Sequence, residues 1–182
     1  MIKSCPQSPF HIQISIAAQT LSLLKLEDPA VSTDARWAPD PSGQILMQVS
    51  ISSSKNGVGQ QRGSYQTPCG RHYIRAKIGA DAAENTVFVG RRPTGEIWSE
   101  ALTEQFPNRD WILTRILWLC GLEPGKNRLG DVDTMRRYVY LHGSPHTVKM
   151  GEPGSIGCIR MRNDDIIALF DLVPAGTTVA IS

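Results

Sequence analysis

The sequence predicts a mainly β fold, and three observations carry that reading. The 182 residues include 16 glycines and 12 prolines, enough to punctuate the chain with turns throughout. Short apolar or alternating segments recur between those turns, and only two stretches show helical periodicity. With 41% hydrophobic and 20% charged residues, the composition supports a packed core and argues against extended disorder. The length fits one domain over residues 1–182.

The elements follow in chain order. His11 to Ile16 alternates and continues into Leu21-Ser-Leu-Leu-Lys-Leu, which predicts two strands around a turn near Gln19. Residues 28–43, with Pro29, Pro39 and Pro41, read as loop, and Gln44 to Ser52 as a strand. The Gly- and Ser-rich stretch from Ser53 to Gly63 is long enough for a mobile lid or a long hairpin. Arg71 to Ile78 and Thr86 to Val89 read as strands. The spacing of Trp111, Ile112, Arg115, Ile116 and Leu119 predicts a helix over 108–119, with Asn108 as its cap, Asp110 in its first turn and Gly121 as its stop. On that helix Trp111 and Trp118 belong to the core. Arg137 to Leu141 reads as a strand ending at His142-Gly143, Asn163 to Leu172 as a second helix capped by Asn163, and Thr177 to Ile181 as a final strand.

Charge and cysteine usage exclude several classes. A net charge of +2 is too weak to imply nucleic acid or an anionic membrane surface. No apolar stretch approaches a membrane span, and Ile112 to Leu122 is short and carries Arg115. The first residues lack the apolar core of a secretory leader, so the expectation is a cytoplasmic protein, or a periplasmic one if a leader has been removed. Cys5, Cys69, Cys120 and Cys158 lie far apart and suggest no disulfide framework. Cys120 sits among apolar residues, Cys5 in a Pro/Ser-rich tail, and Cys69 in a turn.

Cys158 differs. Strand alternation places Tyr138, Tyr140 and His142 on one face. Sixteen residues after His142 comes Gly154-Ser-Ile-Gly-Cys158-Ile-Arg160-Met, in which Cys158 and Arg160 project to one side if the segment is extended. A thiolate is a strong nucleophile, and an adjacent imidazole lowers its pKa and shuttles its proton. Backbone N–H groups around Gly157 and Cys158 suit an oxyanion, and Arg160 suits a substrate carboxylate. Tyr140 and His146, near the mouth of such a site, are further candidate substrate contacts. One of the basic pairs Arg91-Arg92 and Arg136-Arg137 could hold an acidic peptide.

His142-Gly143 followed by Ser155-x-Gly157-Cys158-x-Arg160 resembles the signature of the L,D-transpeptidase catalytic domain (YkuD-like) family. Thr67-Pro68-Cys69-Gly70 resembles its TPxG turn, and the similarity is clearest over residues 50–182. The resemblance implies a β-sandwich of mixed sheets with one or two helices, and a cysteine acyltransferase on peptidoglycan stem peptides with no cofactor. In that reading Cys158 is the nucleophile and His142 its base, and the carbonyl of Gly143 orients the imidazole. Ser155 and Gly157 shape the oxyanion loop, and Arg160 contacts substrate. One departure stands out: Ile156 occupies a position where many members carry histidine.

The thioester would pass to water, giving an L,D-carboxypeptidase that trims tetrapeptides in muropeptide recycling, or to an amine, giving an L,D-transpeptidase that forms 3-3 cross-links. The absence of a leader favours water. The resemblance also implies that carbapenem-type inhibitors acylate the cysteine. Two rival readings stay open. His142, His146 and Cys158 could ligate zinc, although Gly143 and Pro145 break the helix that would align both imidazoles. A muropeptide-binding module without turnover is the other.

Overall fold

The computed structural model describes residues 8–27 and 42–182. The proline-rich stretch of 28–41 and Cys5 lie outside the described residues. Within the described residues, ten strands and two α-helices follow one another: β1 (Phe10–Ser15), β2 (Thr20–Leu26), β3 (Gly43–Ser50), β4 (Gly70–Ile78), β5 (Thr86–Val89), β6 (Arg92–Ile97), α1 (Glu100–Gln105), β7 (Ile112–Gly121), β8 (Tyr140–Gly143), β9 (Ile159–Met161), α2 (Asn163–Leu172) and β10 (Thr178–Ile181). The fold is mainly β, as composition and turn content predict.

These ten strands belong to one mixed, branched sheet. Its main path runs β3-β2-β1-β10-β4-β7-β5-β6, and β8 and β9 branch from β7. Most neighbours are antiparallel, but β1 pairs with β10 in parallel and β8 pairs with β9 in parallel. Strand β7 has three partners on two edges, with β4 along Ile116 to Gly121, β5 at Ile112 and Leu113, and β8 from Leu113 to Trp118. A bulge between Leu113 and Ile116, with Thr114 at φ +70°, separates these pairings.

Strand β7 overturns the helix expected over 108–119. The apparent i, i+3, i+4 spacing arises because a strand buried on both faces is apolar at nearly every position, which mimics a helical stripe. Leu117 and Leu119 face the main core, while Ile112, Ile116 and Trp118 pack with a smaller cluster on the other face. Trp111 is buried in a third cluster with Val87, Trp98 and Leu113, and Trp118 is only half-buried. Asn108 therefore caps nothing, and Gly121 ends a strand. The sequence reading also lacks β6, whose Pro93 and Gly95 disguise an exposed strand, and α1, a short helix opened by Ser99 accepting from the Leu102 N–H. Helix α2 lies where periodicity puts it, but Arg162 holds its cap position, and Asn163 donates instead to Asn85.

The main core gathers Ile12 and Ile14 from β1, Leu21 and Leu23 from β2, Ile74 from β4, Leu141 from β8, Ile159 and Met161 from β9, and Ile166, Leu169 and Phe170 from α2. The sheet's two limbs thus close over one interior, with α2 against β7 and β8. No helix among the described residues is long and apolar enough to cross a membrane.

Leu117 is fully buried in the centre of β7. Leu117→Ala should therefore cost about 3 kcal/mol, in the range of large-to-small core changes, read as a fall in the urea midpoint. Arg92→Ala on the exposed edge should move it by less than about 0.5 kcal/mol. Equal small effects would contradict the central, two-sided burial of β7.

Candidate active site

Strands β8 and β9 put the chemistry in place. Leu141 stands opposite Ile159, His142 opposite Arg160, and Gly143 opposite Met161. With side chains alternating, Leu141, Ile159 and Met161 turn into the main core, and Tyr140, His142, Cys158 and Arg160 share the opposite face. Cys158 lies one strand over and two residues back from His142, a Cα separation of about 8 Å from strand spacing and rise. Tyr138, expected on the same strand, sits in a turn with φ +58°, so the strand begins only at Tyr140.

His142 is fully buried. Its Nδ1 lies 2.8 Å from the Gly143 carbonyl oxygen. A carbonyl only accepts, so Nδ1 carries the proton and the lone pair resides on Nε2. Nε2 has no hydrogen-bond partner among the described residues. Burial holds the imidazole below its usual pKa range, opposed by the Asp110 carboxylate and the Gly143 carbonyl. The result is a neutral ring with a fixed tautomer and an uncommitted basic nitrogen. Gly143 has no room for a side chain, because a Cβ there would collide with Asn163 Oδ1 and lie 2.8 Å from the Leu113 carbonyl.

Cys158 is half-buried, on the wall of a cavity of about 720 Å³. Its thiol is not hydrogen-bonded to Nε2: the S–H donates to the Tyr138 carbonyl at 3.5 Å, and Sγ accepts from the Tyr140 N–H at 3.4 Å. Burial pushes this thiol up to about 12; the Tyr140 N–H opposes the rise, Asp110 adds to it, and Arg160 and Arg137 oppose it. The resting site thus holds a thiol and a neutral imidazole, with no thiolate–imidazolium pair.

The loop before Cys158 is a built turn. Ser155, fully buried, donates to the Cys158 carbonyl at 2.5 Å and accepts from the Gly157 N–H at 3.2 Å. The Gly157 N–H, expected as an oxyanion donor, is therefore engaged by Ser155, and the Tyr140 N–H is a donor facing the sulfur. Gly157 adopts φ +130°, open to glycine and strained for other residues. Its carbonyl accepts from Thr67 Oγ1 at 3.1 Å, so the Thr67-Pro68-Cys69-Gly70 turn staples the nucleophile loop in place.

Arg160 is engaged by other groups of the protein. Its Nη2 donates to Asp110 Oδ1 at 2.5 Å, and its Nη1 to the Gly154 carbonyl at 3.1 Å. Asp110, read from sequence as a helix residue, lies two positions before β7 and lines the cavity. Arg160 itself lines a neighbouring cleft of about 220 Å³. Tyr140 lines the main cavity with its hydroxyl held by Arg91 Nη1 at 3.0 Å. His146 does not line that cavity; its Nε2 lies 3.1 Å from Glu100, and its ring meets Trp98 edge-on at 5.2 Å. Among the described residues no group of three or more His, Cys, Asp or Glu is placed to hold a metal, and the zinc set His142, His146 and Cys158 is not assembled.

Arg137 is the residue that sequence reasoning undervalues most. Its guanidinium donates to the carbonyls of Gly59, Gln60 and Gln66 at 3.0, 2.9 and 2.6 Å. The stretch from Ser53 to Gly63, read as a mobile lid or a long hairpin, is thus a clasped segment, further tied where the Ser54 N–H donates to Thr67. Basic pairs usually mark solvated surface, and no local signal distinguishes this half-buried arginine from exposed Arg136.

Comparison with known proteins agrees with the geometry. The family model described as the YkuD L,D-transpeptidase catalytic domain matches residues 9–181. The protein named "Probable L,D-transpeptidase ErfK/SrfK" from Escherichia coli is 51% identical over 45 residues, which is 25% of this chain and 14% of that protein. Among solved structures, Bdellovibrio bacteriovorus Bd1075 superposes with a TM-score of 0.56 at 14% identity, covering 96% of this chain and 48% of that one. The L,D-transpeptidase LdtMt1 in complex with imipenem gives 0.52 at 18% identity, covering 96% and 59%. These superpositions show a shared fold, and the chain spans less than two thirds of each relative.

Three outcomes follow. With the resting thiol held above its ordinary pKa, alkylation of Cys158 by iodoacetamide should rise about tenfold per pH unit from pH 7 to 10 without levelling. A plateau below pH 8 would instead mean a preformed ion pair. The same raised pKa favours the folded state only while the thiol keeps its proton, so its contribution should be lost as pH climbs from about 9 toward 12. Arg137→Ala should destabilise by about 2–3 kcal/mol and speed amide hydrogen exchange across 59–66; unchanged exchange there would mean the clasp holds nothing.

Proposed function

The chain belongs to the L,D-transpeptidase catalytic-domain family, and from that premise we propose that it is a cysteine acyl-enzyme L,D-carboxypeptidase. Its substrate would be a soluble peptidoglycan tetrapeptide, cleaved between diaminopimelate and the terminal D-alanine. The observation that carries this reading is the pairing of Cys158 with a buried, neutral His142 whose Nε2 is uncommitted.

In the proposed cycle the Cys158 thiol rotates from the Tyr138 carbonyl toward Nε2 and transfers its proton there. Sulfur attacks the scissile carbonyl, forming the C–S bond. The C–N bond then breaks, and D-alanine leaves with the proton returned from Nε2. The Tyr140 N–H, already aimed at the sulfur, is near enough to assist the developing oxyanion. Water next gives a proton to Nε2 and attacks the thioester, releasing the tripeptide and the thiol. The Gly143 carbonyl keeps Nδ1 protonated and supports the imidazolium that forms twice in the cycle.

Support for water over an amine comes from access. His142 is fully buried, and the Arg160–Asp110 pair stands beside it. The cleft on the Arg160 side is about 220 Å³, against about 720 Å³ for the cavity at Cys158. Beside a fully buried base, water needs less room than the amine of a second stem peptide. The exposed Ile156 gives the nucleophile loop an apolar face in place of a polar one. Action in the cytoplasm on soluble fragments belongs to the same proposal. So does acylation of Cys158 by a carbapenem, since the solved LdtMt1 structure holds imipenem.

Mass spectrometry of the protein incubated with free tetrapeptide tests this. Tripeptide and D-alanine should appear, and both should fall by at least about a thousandfold in Cys158→Ala and His142→Ala. Cross-linked dimers or exchange of an added D-amino acid would replace water by an amine as acceptor. No turnover, with Cys158 unmodified by imipenem, would overturn the enzyme reading.

A further inference from the structure

The whole chain carries a net charge of +2. The wall of the cavity at Cys158 alone carries four arginines, Arg62, Arg91, Arg136 and Arg137, against one carboxylate, Asp110. That carboxylate is already paired with Arg160. Positive charge is therefore concentrated where the reaction would occur, and no other acidic side chain among the described residues lines the cavity to balance it.

The four arginines differ in what they already do. Arg137 is committed to loop carbonyls. Arg91 lies over the rings of Trp118 and Tyr138, at 4.4 and 4.8 Å from their centroids, and donates one N–H to Tyr140. It is a guanidinium fixed in orientation before any ligand arrives. Arg62 and Arg136 are exposed, and their side chains make no hydrogen bond or ion pair with any described residue. Like charges gathered around a concavity repel one another and raise the local concentration of anions.

Resting on the proposed stem-peptide reading, we propose that this cavity selects acidic peptides whose carboxyl groups near the scissile bond are free, and discriminates against their carboxamides. Arg62 and Arg136 would supply the carboxylate contacts, with Arg91 as the preset third. The discrimination follows from donor and acceptor inventory. A guanidinium is donor-only, and a carboxylate offers it two acceptor oxygens in matching geometry. A carboxamide loses the charge, keeps one acceptor and presents an N–H₂ group to a surface of donors, so it both loses attraction and meets a mismatch.

The test compares two synthetic tetrapeptides, one with free carboxyl groups and one with those groups amidated except at the C-terminus. Binding is measured by calorimetry on the Cys158→Ala protein, and turnover on the wild-type protein. The free acid should bind at least about tenfold more tightly, a preference that shrinks with added salt. Adding Arg62→Gln and Arg136→Gln together should erase most of that preference, while circular dichroism and the urea midpoint stay unchanged because both residues are exposed. In turnover the preference should appear mainly in KM. Equal binding of acid and amide, or a preference that survives the double substitution, would overturn the inference. Salt-sensitive binding of the acid without turnover would sink the proposed enzymatic function and leave the recognition site standing.

Discussion

Three register pairs between β8 and β9 determine whether this protein has a reactive centre. The parallel alignment of Leu141 with Ile159 sends alternate residues of both strands into the core, which leaves Tyr140, His142, Cys158 and Arg160 together on the other face. A slip of β9 by one residue would turn the thiol inward and Ile159 and Met161 outward. So short a pairing is weak alone. It is reinforced from the core by Leu141, Ile159 and Met161, all fully buried, and from the side by Ser52, whose N–H donates to the Arg160 carbonyl while its own carbonyl accepts the Arg160 N–H. Packing on one face thus fixes chemistry on the other.

That chemistry is arranged as a resting state. Burial keeps the imidazole neutral and the thiol protonated, and the thiol is parked on backbone groups of the turn before β8. A thiol in this condition is protected from oxidation, because the thiolate is the form that reacts. Asp110 has two effects here. It neutralises Arg160, and its carboxylate opposes ionisation of Cys158 while favouring protonation of His142. A substrate that neutralised Arg91 or Arg136 would enter a field already weighted toward it.

Much of this is legible in the chain. Alternation reveals β1, β2, β3, β4 and β10, because turn residues bound each apolar or alternating run. The spacing of His142, Ser155, Gly157, Cys158 and Arg160 reveals the constellation, since local loop geometry demands small residues between the reactive ones. Strand β7 reads as a helix because burial on both faces removes the period-two signal, and Thr114 and the bulge beside it shift what alternation remains. Asp110 is hidden by the same effect: a carboxylate in the first turn of a supposed helix looks like a partner for the helix's positive end, and only the tertiary fold carries it to Arg160. Arg137 is illegible for a different reason. Its partners are the carbonyls of Gly59, Gln60 and Gln66, and backbone acceptors leave no trace in a sequence.

The position of β10 has a consequence for how the molecule comes into being. This strand is the last of the sheet in chain order, yet it sits between β1 and β4, pairing with both. Until it is synthesised, no strand pair among the described residues joins β1, β2 and β3 to β4, β7 and β8, and the Ser52–Arg160 bridge to β9 is a single isolated contact between them. A nascent chain emerging from the ribosome therefore presents two unfinished half-sheets, each with an open edge along the vacant slot. The pairing of His11 with Thr178 closes a loop that takes in nearly the whole domain, a contact of the kind that slows folding most. Incomplete copies of this chain would thus be matched to each other's gaps, which makes strand exchange between neighbours the failure that its topology invites.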